Sequence, residues 1–160
     1  MAFGCQDPPL LTDDRIRKAF RASHRNGKPM PCPFCSLPAD RTVLSSASAI
    51  ALRDAYPISP GHTLIVPRRH VGSFFEATAQ ERADLLALLD EAKRELDAQF
   101  APAAFNIGIN DGPAAGQTVP HLHIHLIPRY VGDRIDPRGG VRWIIPDKAD
   151  YWSTRDIDKP

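Results

Sequence analysis

Residues 121–126 read His-Leu-His-Ile-His-Leu, and no other stretch of the chain limits the possible folds so strongly. Strict alternation has the period of a β-strand, so His121, His123 and His125 fall on one face and Leu122, Ile124 and Leu126 on the other. The apolar side needs a core behind it, which leaves the imidazole side lining a surface or a cleft. This strand is expected over 121–127, ended by Pro128. The rest of the pattern supplies its neighbours. Residues 42–44 and 48–52 read as a hairpin, 62–66 as a third strand stopped by Pro67, and 105–109 as a fourth. A long helix is expected from about 79 to 99, with Thr78 and Glu81 as a capping box and Leu85, Leu88, Leu89, Ala92 and Leu96 at helical spacing. A shorter amphipathic helix is expected over 12–23, closed by Asn26-Gly27. The fold class is α+β: an antiparallel sheet of about five strands with one long helix packed on it.

At 160 residues the chain reads as a single domain, with 1–30 as an N-terminal helical extension and 131–160 as a C-terminal tail. Its formal net charge of +1 offers no broad field for nucleic acid or an anionic membrane, so neither is an expected partner. No stretch approaches the roughly 18–20 apolar residues of a spanning helix, and no leader pattern opens the chain; a cytoplasmic location is expected. Three cysteines do not make a disulfide framework. Cys5 reads as an incidental thiol, whereas Cys32 and Cys35 form a CxxC pair.

A three-histidine metal centre fits residues 121–125 poorly. The Cα atoms of His121 and His125 would lie about 13 Å apart at roughly 3.3 Å per residue, while metal ligands sit about 2 Å from their ion. A row of imidazoles suits an extended substrate such as a polyphosphate. Histidine, with an ordinary pKa near 6.5, serves there as neutral nucleophile or proton donor according to its neighbours. The preceding segment 110–118 supports a phosphate partner, because two glycines permit close backbone approach beside amide and hydroxyl donors.

Asp111-Gly112-Pro113, Ala115-Gly116-Gln117-Thr118 and the run from Val119 to Arg129 resemble the signature of the histidine-triad (HIT) superfamily. They are especially similar to its fragile-histidine-triad branch of dinucleoside polyphosphate hydrolases. Asp54 and the run from Pro57 to Pro67 resemble the family strand that supplies a fourth histidine. The resemblance covers roughly residues 31–130. It implies that His123 attacks the α-phosphorus to form a nucleotidyl-imidazole intermediate, which water then cleaves. It implies that His125 contacts the scissile phosphate and assists the leaving group, and that His62 supports the triad. Gln117, Thr118 and Gly116 would meet phosphate and bridging oxygens, Asp54 the ribose hydroxyls, and Asn110 would brace the site. A homodimer is implied as well.

The Cys32-Pro33-Phe34-Cys35 pair has three readings. A redox motif would open a helix in a βαβ unit, which Pro38 and the following pattern oppose. A buried thiol pair is the plainest. Half of a zinc site needs two more ligands. Cysteine-bearing HIT members and the related galactose-1-phosphate uridylyltransferases imply a histidine partnership, giving a structural zinc on Cys32, Cys35, His70 and His121, with His24 in reserve. The expected activity is hydrolysis or transfer at the α-phosphate of a dinucleoside polyphosphate or a related nucleoside 5′-phosphate derivative. Phosphoramidate or acyl-nucleotide hydrolysis, phosphorolysis and a non-catalytic nucleotide-binding module are the alternatives. The tail, with Arg134, Arg138, Arg142, Trp143 and Trp152, reads as a cover over substrate, as packing across a second subunit, or as plain surface packing.

Overall fold

A computed structural model describes residues 32–152, so the helix expected over 12–23 and the residues Cys5 and His24 lie outside the described part. Five strands form one antiparallel sheet in the order β1-β2-β3-β5-β4. They are β1 (Thr42–Ser45), β2 (Ala49–Arg53), β3 (Thr63–Pro67), β4 (Ala104–Gly108) and β5 (Ile124–Arg129). The long helix α1 (Ala79–Phe100) covers one face, and a single turn, α2 (Pro146–Ala149), belongs to the tail. Among the described residues no helix is long and apolar enough to cross a membrane.

The sequence explains how α1 starts and stops. Thr78 and Glu81 form the reciprocal capping box, satisfying backbone donors that have no partner within the helix. At the other end Ala101 adopts the left-handed conformation, φ 47°, and its N–H donates to Asp97 O; Pro102 then forbids a further turn. Leu85, Leu88, Leu89, Ala92 and Leu96 are buried against Ala49, Ala51, Ile65, Leu122, Ile124 and Leu126. Each large side chain so enclosed contributes about 1.5–3 kcal/mol. Gly61 closes the turn before β3 with φ +80°, and a Cβ there would lie 2.8 Å from Leu96, so the turn packs on α1 only with glycine.

The second sheet face carries its own apolar cluster: Ile50, Leu52, Leu64 and Val66, with Phe34 and Leu37 packed over it. Leu64 stands opposite His125, and directly paired residues share a face, so this cluster floors the histidine side. The strand limits lie within one residue of expectation except at the two ends of β5. β5 begins at Ile124 rather than at 121, because Leu122 N donates to Val71 O and the His121 carbonyl is taken by the His123 ring. Pro67, at the end of β3, has no N–H to extend the ladder. β5 also runs through Pro128. Its pairing with β3 ends at Thr63–Leu126, so beyond that point the strand has an open side where proline is tolerated.

Candidate active site

His121, His123 and His125 share a stretch of chain but not an environment. The His123 Nδ1–H donates to the His121 carbonyl at 2.8 Å, which fixes the tautomer and leaves Nε2 with its lone pair. Only 6% of His123 is exposed. Its ring lies between Phe34, 5.3 Å away, and His125, 5.0 Å away, centroid to centroid. A neutral nitrogen with fixed direction is what nucleophilic attack on phosphorus requires.

His125 pairs with His62, which the turn at 57–61 delivers to the start of β3; His62 Nε2 and His125 Nδ1 are 3.0 Å apart. The other nitrogen of His62 has two neighbours that call for opposite protonation: Asp54 Oδ2 at 3.4 Å and the Ile58 N–H at 3.5 Å. A carboxylate only accepts and carries charge, so we assign the proton to Nδ1, facing Asp54. His62 then accepts from His125 Nδ1–H, and His125 Nε2 keeps a lone pair. Burial pushes the His125 pKa down to about 4, helped by the neighbouring His123 and His62 and opposed by Asp54. Burial also lowers His62, with Asp54 opposing. Both are neutral imidazoles at pH 7. Asp54, expected on ribose, spends Oδ1 on the Tyr56 N–H at 2.8 Å.

The loop ahead of the histidines is clamped to the chain after β3. Gln117 Oε1 accepts from Gly112 N at 2.9 Å and its Nε2 donates to Gly72 O at 2.7 Å. The second N–H of the amide takes part in neither bond. Asp111 Oδ2 accepts from Ser73 Oγ and from Phe74 N, at 3.0 and 2.9 Å. Gly116 ends the short helical turn Pro113–Ala115. Thr118 is exposed and Asn110 half-buried.

Cys32, Cys35, His70 and His121, the set implied by the family resemblance, converge: one ligand atom from each lies within 4.8 Å of all the others. Cys32 Sγ is 3.3 Å from His121 Nδ1, and Cys35 Sγ is 3.2 Å from His70 Nδ1 and 3.5 Å from His121 Nδ1. A tetrahedral ion with legs of about 2.3 Å to sulfur and 2.0 Å to nitrogen gives sulfur–nitrogen edges of roughly 3.5 Å, so two sulfurs and two nitrogens fit one ion. The His121 Nε2–H donates to Pro67 O at 2.9 Å, leaving Nδ1 as the ligating atom. Asp54, His62 and His125 also gather. Their 3.0 Å nitrogen pair is a hydrogen bond, shorter than the roughly 3.3 Å expected between two nitrogens on one ion.

Two contributors escaped the sequence reading. Phe34 packs on both His121 and His123. Unbroken burial of β2 at Ala49–Leu52 and of β3 shows strands covered on both faces, and the apolar runs Ala-Ile-Ala-Leu and Leu-Ile-Val were its signal. The Asp111 clamp lay inside a motif whose glycines drew attention first.

Comparison with known proteins matches residues 38–132 to the HIT domain family. The chain is 42% identical over 93 residues to a bis(5′-nucleosyl)-tetraphosphatase (asymmetrical) of Schizosaccharomyces pombe, covering 58% of this chain and 49% of that protein. It is 39% identical over 118 residues to a bis(5′-adenosyl)-triphosphatase of Saccharomyces cerevisiae, covering 71% and 52%. It therefore spans about half the length of these two curated relatives. A crystal structure of a zinc-bound histidine triad family protein from Mycobacterium smegmatis superimposes with a TM-score of 0.61 at 31% identity, covering 67% of this chain and 81% of the other. With the family model spanning more than half of its residues and the histidines set on such a sheet, the chain belongs to the HIT domain family.

Proposed function

We propose that the protein hydrolyses dinucleoside polyphosphates at the α-phosphate through a nucleotidyl-His123 intermediate. The observation that carries this reading is the bond from His123 Nδ1–H to the His121 carbonyl, which commits Nε2 to act as nucleophile. The relatives named as hydrolases of such substrates support it. In the first step Nε2 bonds to phosphorus and the phosphorus–oxygen bond to the leaving nucleotide breaks. A nucleoside polyphosphate departs as a stable anion and needs no proton. The donors of the loop, Thr118, the spare N–H of Gln117 and the amide of Asn110, meet the charge that grows on oxygen. In the second step water attacks, the phosphorus–nitrogen bond breaks, and a nucleoside monophosphate leaves. His125, neutral with a lone pair on Nε2, takes the proton of that water. His62 and Asp54 orient His125, and Gly116 keeps the backbone close to the phosphates.

We infer that Cys32, Cys35, His70 and His121 hold a structural zinc. The donor set, the spacing of the four atoms and the Pro67 bond support it. When bound, the ion would tie the His121 end of the nucleophile's segment to the chain after β3 at His70 and to the turn that holds Cys32 and Cys35. A homodimer is part of this reading, supported by β4 as an edge strand with Ile107 49% exposed; light scattering decides it. Activity is tested by incubating wild type and His123→Ala with diadenosine tetraphosphate and following AMP. Loss of roughly 10³-fold or more is expected, and turnover that survives the substitution refutes the mechanism.

A further inference from the structure

Beyond β5 the tail folds into a small cleft that no step above employs. Trp143 and Trp152 form two of its walls, each backed by an arginine: the Arg134 guanidinium lies 4.7 Å from the Trp143 ring, and that of Arg138 4.7 Å from the Trp152 ring. Gly139, at φ +84°, sits between the indoles. A Cβ there would come within 3.0 Å of Trp152 and 3.2 Å of Trp143 Nε1, so only glycine lets the two rings approach. Trp143 Nε1–H donates to Arg138 O at 2.8 Å, and Arg138 grips Asp136. The rings are thus held in place without a ligand. The open space measures about 360 Å³ and is lined by Arg134, Ile135, Asp136, Trp143, Asp150 and Trp152, which is a size that accepts a small molecule.

The cleft's segment rests on the histidine side of the sheet. A Cβ on Gly140 would lie 3.4 Å from Asn106 Nδ2, and Arg129 donates to Asn106 Oδ1 at 2.6 Å and to Asp133 at 2.7 Å. Asn106 stands two residues from Gly108, and Gly108 is paired with His125. Alternate residues share a face, so Asn106, Gly108 and His125 point the same way. Along β4 the tail's contact lies roughly 7 Å from Gly108. A Cβ on Gly108 would meet nothing within 4 Å, so the space directly above that residue is open.

We propose that this cleft binds the base of the departing nucleoside. Indole faces stack on a purine, and Arg134, on the cleft wall, meets the adjoining phosphate. The assignment rests on the hydrolase reading for its substrate class but has its own readout. Trp143 and Trp152 are the chain's only tryptophans, so fluorescence excited at wavelengths that the three tyrosines do not absorb reports on this cleft. Full-length His123→Ala is titrated with diadenosine tetraphosphate and with AMP, with calorimetry run alongside. Saturable quenching by the dinucleotide is expected, with at least about tenfold more AMP needed for the same effect. Calorimetric binding without quenching, equal quenching by AMP, or no binding of the dinucleotide would each overturn the assignment. In the active protein, Trp152→Ala should lower the ratio of kcat/KM for the dinucleotide to that for adenosine 5′-phosphoramidate by about fivefold or more. An unchanged ratio overturns the assignment, whereas a wild type that turns over neither compound refutes the hydrolase reading.

Discussion

Replacing His125 with asparagine should make the protein less sensitive to acid, and the amount follows from the burial of the ring. In the unfolded chain His125 takes a proton near its ordinary pKa of 6.5, and in the folded protein only near 4. Between those values the unfolded state binds more protons, so stability falls as pH drops from about 6.5 to about 4 and is flat on either side. For a fully enclosed ring, linkage gives about 2 kcal/mol lost between pH 7 and pH 5; half-burial of the ring reduces this to about 1 kcal/mol. The groups facing the ring are His123 on its own chain segment and His62 and Asp54 from the β2–β3 connection. All of them, and the cysteine–histidine cluster, remain in His125→Asn, so their titrations largely cancel when the two proteins are compared. The assay is urea unfolding of wild type and variant at pH 7 and pH 5. Wild type should lose about 1 kcal/mol more than His125→Asn over that interval, whatever the packing cost of the substitution at pH 7. Parallel losses would show that the ring is not held neutral, and with that the role of His125 as acceptor of the water's proton would fail.

Three further outcomes follow from single contacts. Protein purified without added metal should carry close to one zinc per chain by elemental analysis; Cys35→Ser should lose it and melt roughly 5 °C or more lower, as expected for about 1–2 kcal/mol in a chain of this size. Ala101→Gly should raise unfolding free energy by about 0.5–1 kcal/mol, because Ala101 holds φ 47° at the end of α1 and glycine adopts it without steric cost; calorimetric melting checks this. Asp111→Ala removes the acceptor for Ser73 Oγ and Phe74 N, worth about 1–3 kcal/mol of unsatisfied polar groups. It should raise KM for the dinucleotide several-fold while the circular dichroism spectrum stays unchanged.

The parts of this fold visible in the sequence are those governed by local periodicity. The capping box and the leucine spacing of α1 specify a helix within a few turns of chain, and both ends fall within one residue of the expected 79–99. Alternation likewise places Leu122, Ile124 and Leu126 in the main core. Limits of β5 were not readable, because they depend on residues far away: Val71, which takes the Leu122 N–H, and β3, whose ladder ends opposite Leu126. Gln117 shows the same boundary between local and distant. Its residue type promises a phosphate donor, yet Gly72, 45 positions earlier, occupies one of its two N–H groups.

The inequality of the three histidines is the clearest case, since their alternation makes them look interchangeable. What separates them is the acceptor or donor that each ring meets on its second nitrogen. The Pro67 carbonyl takes Nε2–H of His121 and turns Nδ1 toward two sulfurs. The His121 carbonyl takes Nδ1–H of His123 and turns Nε2 outward. His62 takes Nδ1–H of His125, which leaves that ring's Nε2 with a lone pair beside His123. Two of these three acceptors are backbone oxygens, which no side-chain substitution removes and no residue pattern reports. The β3 terminus at Pro67 and the break in the β5 ladder at 121–123 are what free those oxygens, because a carbonyl engaged in a continued ladder would be less able to orient a ring. The same irregularity that shortens β5 therefore turns one imidazole toward the cysteine pair and frees Nε2 of the next.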